Sequence, residues 1–158
     1  MKKINAIGLH QGKAEELANK LNELLANYSI FYQNTRGFHW NIKGEKFFEL
    51  HLKFEELYND LLLKIDEVAE RILTLGHTPE HSYSQYAKTS TIKESKKVSD
   101  GLIAVEQILE GFKTTIVMQR EILALASDAN DEGTNALMSD YIGFQEKQVW
   151  MYSSFLKK

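Results

Sequence analysis

LHLKFEELYNDLLLKIDEVAERILTLGHTP, residues 50–79, carries apolar side chains at Leu50, Phe54, Leu57, Leu61, Ile65, Val68 and Ile72. Steps of three and four residues place them along one stripe of an α-helix. Gly76 followed by Pro79 ends that helix near Leu75, because glycine accepts a left-handed cap and proline cannot donate to the hydrogen-bond ladder. Tyr58, Leu62, Ala69 and Leu73 widen the stripe beyond what one core face requires. Either the second face meets another subunit or the helix lies deep inside its own bundle; periodicity alone does not separate the two.

Outward from this segment the same period recurs. Upstream, Leu17, Leu21, Leu24, Tyr28 and Phe31 predict a helix from about residue 13 to about residue 40, with Gly44 as the stop beyond it. Downstream, Leu102, Val105, Leu109, Phe112, Ile116 and Leu123 predict a third long helix. After a polar turn at residues 127–132, Leu137, Tyr141, Phe144, Tyr152 and Phe155 predict a fourth. Residues 76–99 form a long connection, which lets the third helix start at the bundle's other end and run parallel to the second. Within it Thr91-Ile92-Lys93-Glu94 matches a capping box and predicts a short extra helix there. The expectation is an all-α four-helix bundle with that short helix between helices two and three. It forms a single domain over residues 1–158, with a short N-terminal tail at 1–9.

A chain of 158 residues can bury a core without covalent staples, and with no cysteine it has none to use. Hydrophobic residues at 43% against charged residues at 26% exclude a disordered chain. No apolar run is long enough for a bilayer and no leader pattern precedes the first helix, so the expected location is cytoplasmic, with no membrane partner. A formal net charge of -3 offers nucleic acid no global attraction. Lys2, Lys3, Lys157 and Lys158 make only short basic termini. Lys88, Lys93, Lys96 and Lys97 are interrupted by Glu94 and read as solvated surface. DNA binding is therefore expected to be weak or absent.

Five histidines are present; His39 and His51 sit in helical runs with large apolar neighbours, whereas His10, His77 and His81 fall at helix margins or in the connection. A lone histidine in such a run is usually a hydrogen-bonded core or interface residue. Asp66 and Glu70, one turn apart on the second helix, shift the balance towards metal binding, although beside Lys64 and Arg71 they also read as a solvated charged face. Together, nitrogen and carboxylate donors without thiolate suit iron, manganese or zinc. No histidine has a glutamate three residues before it, so the Glu-x-x-His pairs of an intrabundle di-iron centre are missing.

His39-Trp40, His51 with Phe54-Glu55-Glu56-Leu57-Tyr58, and Asp66-Glu67-Val68-Ala69-Glu70-Arg71, in that order and spacing, resemble the signature of the Dps family, the miniferritins. Glu146-Lys147 followed by Trp150-Met151, with the long connection, extends the similarity across nearly the whole chain. The resemblance implies a ferritin-like fold and a hollow homododecamer. It implies a ferroxidase that oxidises ferrous iron, preferring hydrogen peroxide to dioxygen, and that stores ferric mineral and so protects against oxidative damage. Its iron ligands would be His39 and His51 from one subunit and Asp66 and Glu70 from the two-fold mate, with no organic cofactor. Trp40 resembles the family tryptophan thought to intercept stray oxidising equivalents; a core aromatic closing the first helix is the equal alternative. Asp128, Asp131 and Glu132 fall where the family's three-fold pores lie and would draw cations inward. Asp131 and Glu132 read equally well as helix N-caps. The competing function is a nucleoid-compacting DNA-binding member whose iron chemistry is secondary.

Helix geometry adds a constraint. His51 and Asp66 stand fifteen positions apart on one helix, roughly 22 Å at the usual rise, too far to hold one ion. Two copies of that helix packed antiparallel about residues 58–60 would bring His51 of one chain to Asp66 and Glu70 of the other, with His39 joining across the turn at 41–46.

Overall fold

The computed structural model describes residues 3–158. Among them are five helices, α1 (Gln11–Asn41), α2 (Phe47–Thr74), α3 (Tyr83–Thr89), α4 (Gly101–Asp128) and α5 (Glu132–Phe155), and no strand beyond one isolated bridge. The four long helices pack as the predicted all-α bundle, with α3 as the short extra helix. Their directions follow from the contacts at each end. Lys43 N–H donates to Ser99 O at 3.0 Å, and a Cβ on Gly101 would come within 2.6 Å of the Leu50 side chain. So α4 begins where α2 begins and runs parallel to it, as the long connection requires. At the opposite end Lys13 pairs with Asp128 at 3.0 Å, joining the start of α1 to the end of α4.

The helix ends follow local chemistry. α2 closes with Gly76 at φ +91°, which lets His77 N–H reach back to Ile72 O at 3.1 Å and Gly76 N–H to Leu73 O at 2.9 Å. α1 starts two residues before the hydrophobic pattern because His10 is its N-cap, its Nδ1 accepting from Lys13 N–H at 3.4 Å. In the N-terminal tail, Ile4 bridges to His10 and the Asn5 side-chain Oδ1 accepts from Leu9 N–H at 2.9 Å; Lys2 lies outside the described residues.

The capping-box expectation is corrected. Residues 91–94 are not helical; the short helix lies one segment earlier, at α3. The cause is Asn27, fully buried on α1. Its Oδ1 accepts from Thr91 N–H at 3.1 Å, from the Thr91 hydroxyl at 3.1 Å and from Ile92 N–H at 3.0 Å. Thr91 N–H, the donor that the Glu94 carboxylate would take in a capping box, is thus held by α1 instead.

The core is a leucine and aromatic interior in which Tyr28, Phe54 and Phe112 are the largest wholly buried side chains. Phe31 meets Phe112 edge-on at 5.3 Å and lies directly over Gly111, where a Cβ would approach its ring to 2.8 Å. A buried polar layer crosses the middle of the bundle. The Tyr28 hydroxyl bonds to Gln119, Gln145 Nε2 donates to Tyr28 Oη at 2.6 Å, and Thr115 and Gln119 both donate to Gln145 Oε1, at 2.8 and 3.0 Å. Satisfied networks of this kind fix register between helices. By contrast the outer face of α2 is bare: Leu52, Leu62, Leu63 and Leu73 are all about half exposed or more. Within one chain, then, α2 is not enclosed by its own bundle.

Candidate metal centre

His39 occupies the last turn of α1 and His51 the second turn of α2, facing each other across the short turn between the helices. Their rings stack with centroids 3.8 Å apart and planes 13° from parallel. Each is fixed by the other's backbone: His39 Nδ1 lies 2.6 Å from His51 O, and His51 Nδ1 lies 2.7 Å from His39 O. A carbonyl oxygen can only accept, so both Nδ1 atoms carry the proton. A neutral ring so fixed keeps its lone pair on Nε2, the form in which imidazole ligates a metal. One of these bonds also meets a local need. His39 O is among the last carbonyls of α1, because the N–H four residues on, at Lys43, is committed to Ser99. Phe47 stacks on His51 at 4.9 Å and Tyr58 stands edge-on to His39 at 5.3 Å, so the pair is held from both sides.

Asp66 and Glu70 lie on the C-terminal half of α2, both exposed. Their exposure suits a solvated face, but Lys64 and Arg71 do not pair with them, because both cations are engaged elsewhere. Lys64 is only 6% exposed; its Nζ donates to both Asp60 oxygens at 2.7 and 2.6 Å and sits 4.2 Å from the Phe144 ring centre. Arg71 donates to Asp131 Oδ1 at 2.7 Å and to the Thr134 hydroxyl at 2.9 Å. Among the described residues neither Asp66 nor Glu70 enters an ion pair within the chain. Nor, among the described residues, do any three His, Asp or Glu side chains converge into a metal-binding group within the chain. One chain thus carries two half-sets of donors at opposite ends of a helix.

The remaining sequence candidates divide. Trp40 is 57% exposed, which corrects its reading as a core aromatic; its ring lies 4.7 Å beneath the Arg36 guanidinium. Asp131 is 2% exposed, caps α5 by accepting from Thr134 N–H at 3.0 Å, and pairs with Arg71, so the capping reading holds and the carboxylate is not free to line a pore. Asp128 and Glu132 are exposed. His77 is half-buried and His81 exposed, His81 Nδ1 lying 3.1 Å from Pro79 O. Lys88, Lys93, Lys96 and Lys97 are all exposed. Sequence reasoning missed the supporting roles of Phe47, Tyr58 and Arg71. The one available hint for Arg71 is Gly133, where a Cβ would collide with the guanidinium at 2.7 Å.

A histidine–carboxylate donor set on a helical bundle of this topology defines a class, and residues 18–158 match the family described as the ferritin-like domain. A DNA protection during starvation protein of Porphyromonas gingivalis is 40% identical, with all of both chains covered. A Haemophilus influenzae protein is 58% identical over 94% of this chain and 93% of its own. The crystal structure of the Vibrio cholerae Dps protein, described as a member of a broad superfamily of ferritin-like diiron-carboxylate proteins, superposes with TM-score 0.96 at 56% identity, covering 99% of this chain and 98% of that one. The chain belongs to the ferritin-like family and, within it, to the Dps proteins. No helix among the described residues is long and apolar enough to cross a membrane.

Proposed function

We propose that the chain is the subunit of a cytoplasmic ferroxidase cage that oxidises ferrous iron and stores it as ferric mineral, protecting against oxidative damage. The observation that carries this reading is the reciprocal histidine lock, which engages Nδ1 of both rings and so leaves Nε2 as the nitrogen for a metal. Two antiparallel copies of α2, joined through the exposed leucine face, bring Asp66 and Glu70 of the second chain to His39 and His51 of the first. Each interface then holds two equivalent sites, and closure of such dimers gives the dodecamer. Two neutral imidazoles and two carboxylates bind a first ferrous ion firmly and a second weakly. Two ferrous ions and one hydrogen peroxide, with two protons, give two ferric ions and two waters, so no single-electron product escapes. Storage and detoxification are one reaction.

The test is ferrous addition to iron-free protein with peroxide or dioxygen, followed by ferric absorbance and native mass spectrometry. Rapid oxidation with peroxide on a twelve-subunit particle is expected. An inert protein, or a monomer that never associates, would overturn the proposal. The name of the Porphyromonas relative favours a second reading, DNA compaction with secondary iron chemistry. Plasmid retardation that persists at physiological salt would support it, whereas weak phosphate contacts vanish as salt rises.

A further inference from the structure

We infer that the Lys64 ammonium is the resident cation of a two-carboxylate seat between α2 and α5, and that it keeps ferrous iron from binding inside a single bundle. The inference rests on the ferroxidase reading above for the ion excluded, and it concerns a seam which that reading does not use. Asp60 and Glu67 lie one turn to either side of Lys64 on the same face of α2. Lys64 Nζ donates to both Asp60 oxygens, at 2.7 and 2.6 Å, the two-oxygen grip that a carboxylate also offers a chelated metal ion. Rings of α5 close the other side: the ammonium stands 4.2 Å from the centre of Phe144 and 5.2 Å from that of Tyr141.

Two observations separate this seat from a plain ion pair. The charges do not cancel: Glu67 enters no ion pair among the described residues, so two carboxylates share one ammonium and a divalent ion would match them better. The second is the Tyr141 hydroxyl. Tyr141 is 4% exposed, yet among the described residues its oxygen holds no well-formed hydrogen bond, although buried polar atoms nearly always do. Burial pushes this phenol's pKa up, and Glu67 and Asp60 add to the push, which places the oxygen in the field of both carboxylates. Two carboxylates and a phenolic oxygen are hard donors, the kind that divalent ions of the manganese and magnesium type prefer.

A tethered ammonium competes for the seat at an effective concentration that a free ferrous ion does not reach. The exclusion serves the chemistry. Asp60 stands nine positions along α2 from His51, roughly 13 Å at the usual rise, so an ion held there would meet peroxide without a second ion beside it. One ferrous ion supplies one electron, and when it breaks the O–O bond alone the products are one ferric ion, one hydroxide and one hydroxyl radical. The paired step of the interchain site releases no such radical. By filling the seat, Lys64 confines iron to the place where two ions react together.

The experiment uses the metal-free assembled particle and Mn2+, a divalent ion that oxygen donors take, with bound ions per chain counted by equilibrium dialysis. Lys64→Met keeps an apolar stem over Phe144 without the charge and is expected to hold one Mn2+ per chain more than wild type. Lys64→Arg, which keeps a cation on that face, is expected to match wild type, as is Lys64→Met combined with Asp60→Asn. Mn2+ is also expected to raise the melting temperature of Lys64→Met by more than that of wild type, since an ion that binds only the folded chain stabilises it. A Lys64→Met count equal to wild type, or an extra ion that survives Asp60→Asn, would overturn the inference. So would a Lys64→Met chain that folds neither with nor without Mn2+, because the ion could not then replace the ammonium. Ferrous addition with peroxide to wild type tests the ferroxidase reading separately: no ferric absorbance, beside a gained Mn2+ in Lys64→Met, would sink that reading and leave the seat standing.

Discussion

The two halves of α2 carry proposed ligands, His51 in one and Asp66 and Glu70 in the other, and treat them in opposite ways. In the N-terminal half, His51 is stacked, hydrogen-bonded and tautomer-fixed by its own chain. In the C-terminal half, Asp66 and Glu70 are exposed and unpaired within the chain, while their basic neighbours Lys64 and Arg71 are drawn inward to Asp60 and Asp131. Imidazoles need fixed orientation and tautomer to bind a metal well, whereas a carboxylate needs only to be free of competing cations. One half of the site is built by the fold, and the other is kept clear by it.

The largest test of this contrast is removal of one donor from each half. Outer partners of metal ligands are worth roughly 10–100-fold in affinity or activity, so His51→Ala and Asp66→Ala should each lose at least that much of the fast iron oxidation, measured by stopped-flow absorbance. Co-assembled mixtures should regain part of it. In a mixed interface one site collects both defects and the other collects none, so random pairing restores about a quarter of all sites. Verified mixed particles without recovery would show that the two halves do not complete each other between chains.

Stability should divide in the same way. Arg71→Met strands the buried Asp131 carboxylate and should cost about 3–5 kcal/mol by denaturant unfolding. Glu70 is exposed and enters no ion pair among the described residues, so Glu70→Gln should stay within about 0.5 kcal/mol for the unassembled subunit. If the two variants unfold alike, the inward pull on Arg71 is not what clears the carboxylates.

A smaller effect separates the two stretches of α5 that lie near the acidic side chains of each half. Burial raises the Tyr141 hydroxyl far above its usual range, with Glu67 and Asp60 of α2 adding to the shift. Burial likewise raises Tyr152, with a lesser push from Glu56. A folded-state pKa raised above the unfolded value gives stability that is present below about pH 10 and lost as the unfolded chain ionises above it. Thermal stability should therefore fall on the alkaline side, and Tyr141→Phe should flatten that limb. An unchanged limb would mean that the phenol is not held neutral by its surroundings.

The contrast within α2 was only half legible in the sequence. Its period, Gly76 and Pro79 were enough to set the helix and its end, because these are local signals. His39 and His51 were visible as candidates, but their mutual hydrogen bonds depend on how two helix ends meet. Lys64 looked solvated because its aromatic partner, Phe144, comes from α5, eighty positions on. The capping box at Thr91 failed for the same kind of reason: Asn27, sixty-four positions earlier, holds the backbone N–H that Glu94 would have taken. Local chemistry was readable wherever no distant side chain competed for it.

The smallest expected effect concerns the acidic turn before α5, and here the structure revises which substitution is informative. Asp131 cannot test iron entry, since Asp131→Asn would weaken the Arg71 pair and the α5 cap together. Asp128 is 75% exposed at its side chain and pairs with Lys13 at 3.0 Å, a surface contact worth at most about 1 kcal/mol. Asp128→Asn should therefore leave unfolding almost unchanged. Its field on an approaching cation is another matter, because copies of the same charge around a pore add, and steering by such fields is lost at high ionic strength. Iron uptake by the variant should be slower than wild type at low salt, and the two rates should converge near the ~10 Å screening length of 0.1 M salt. A variant equally fast at low salt would mean that Asp128 serves Lys13 alone and that ferrous iron enters elsewhere.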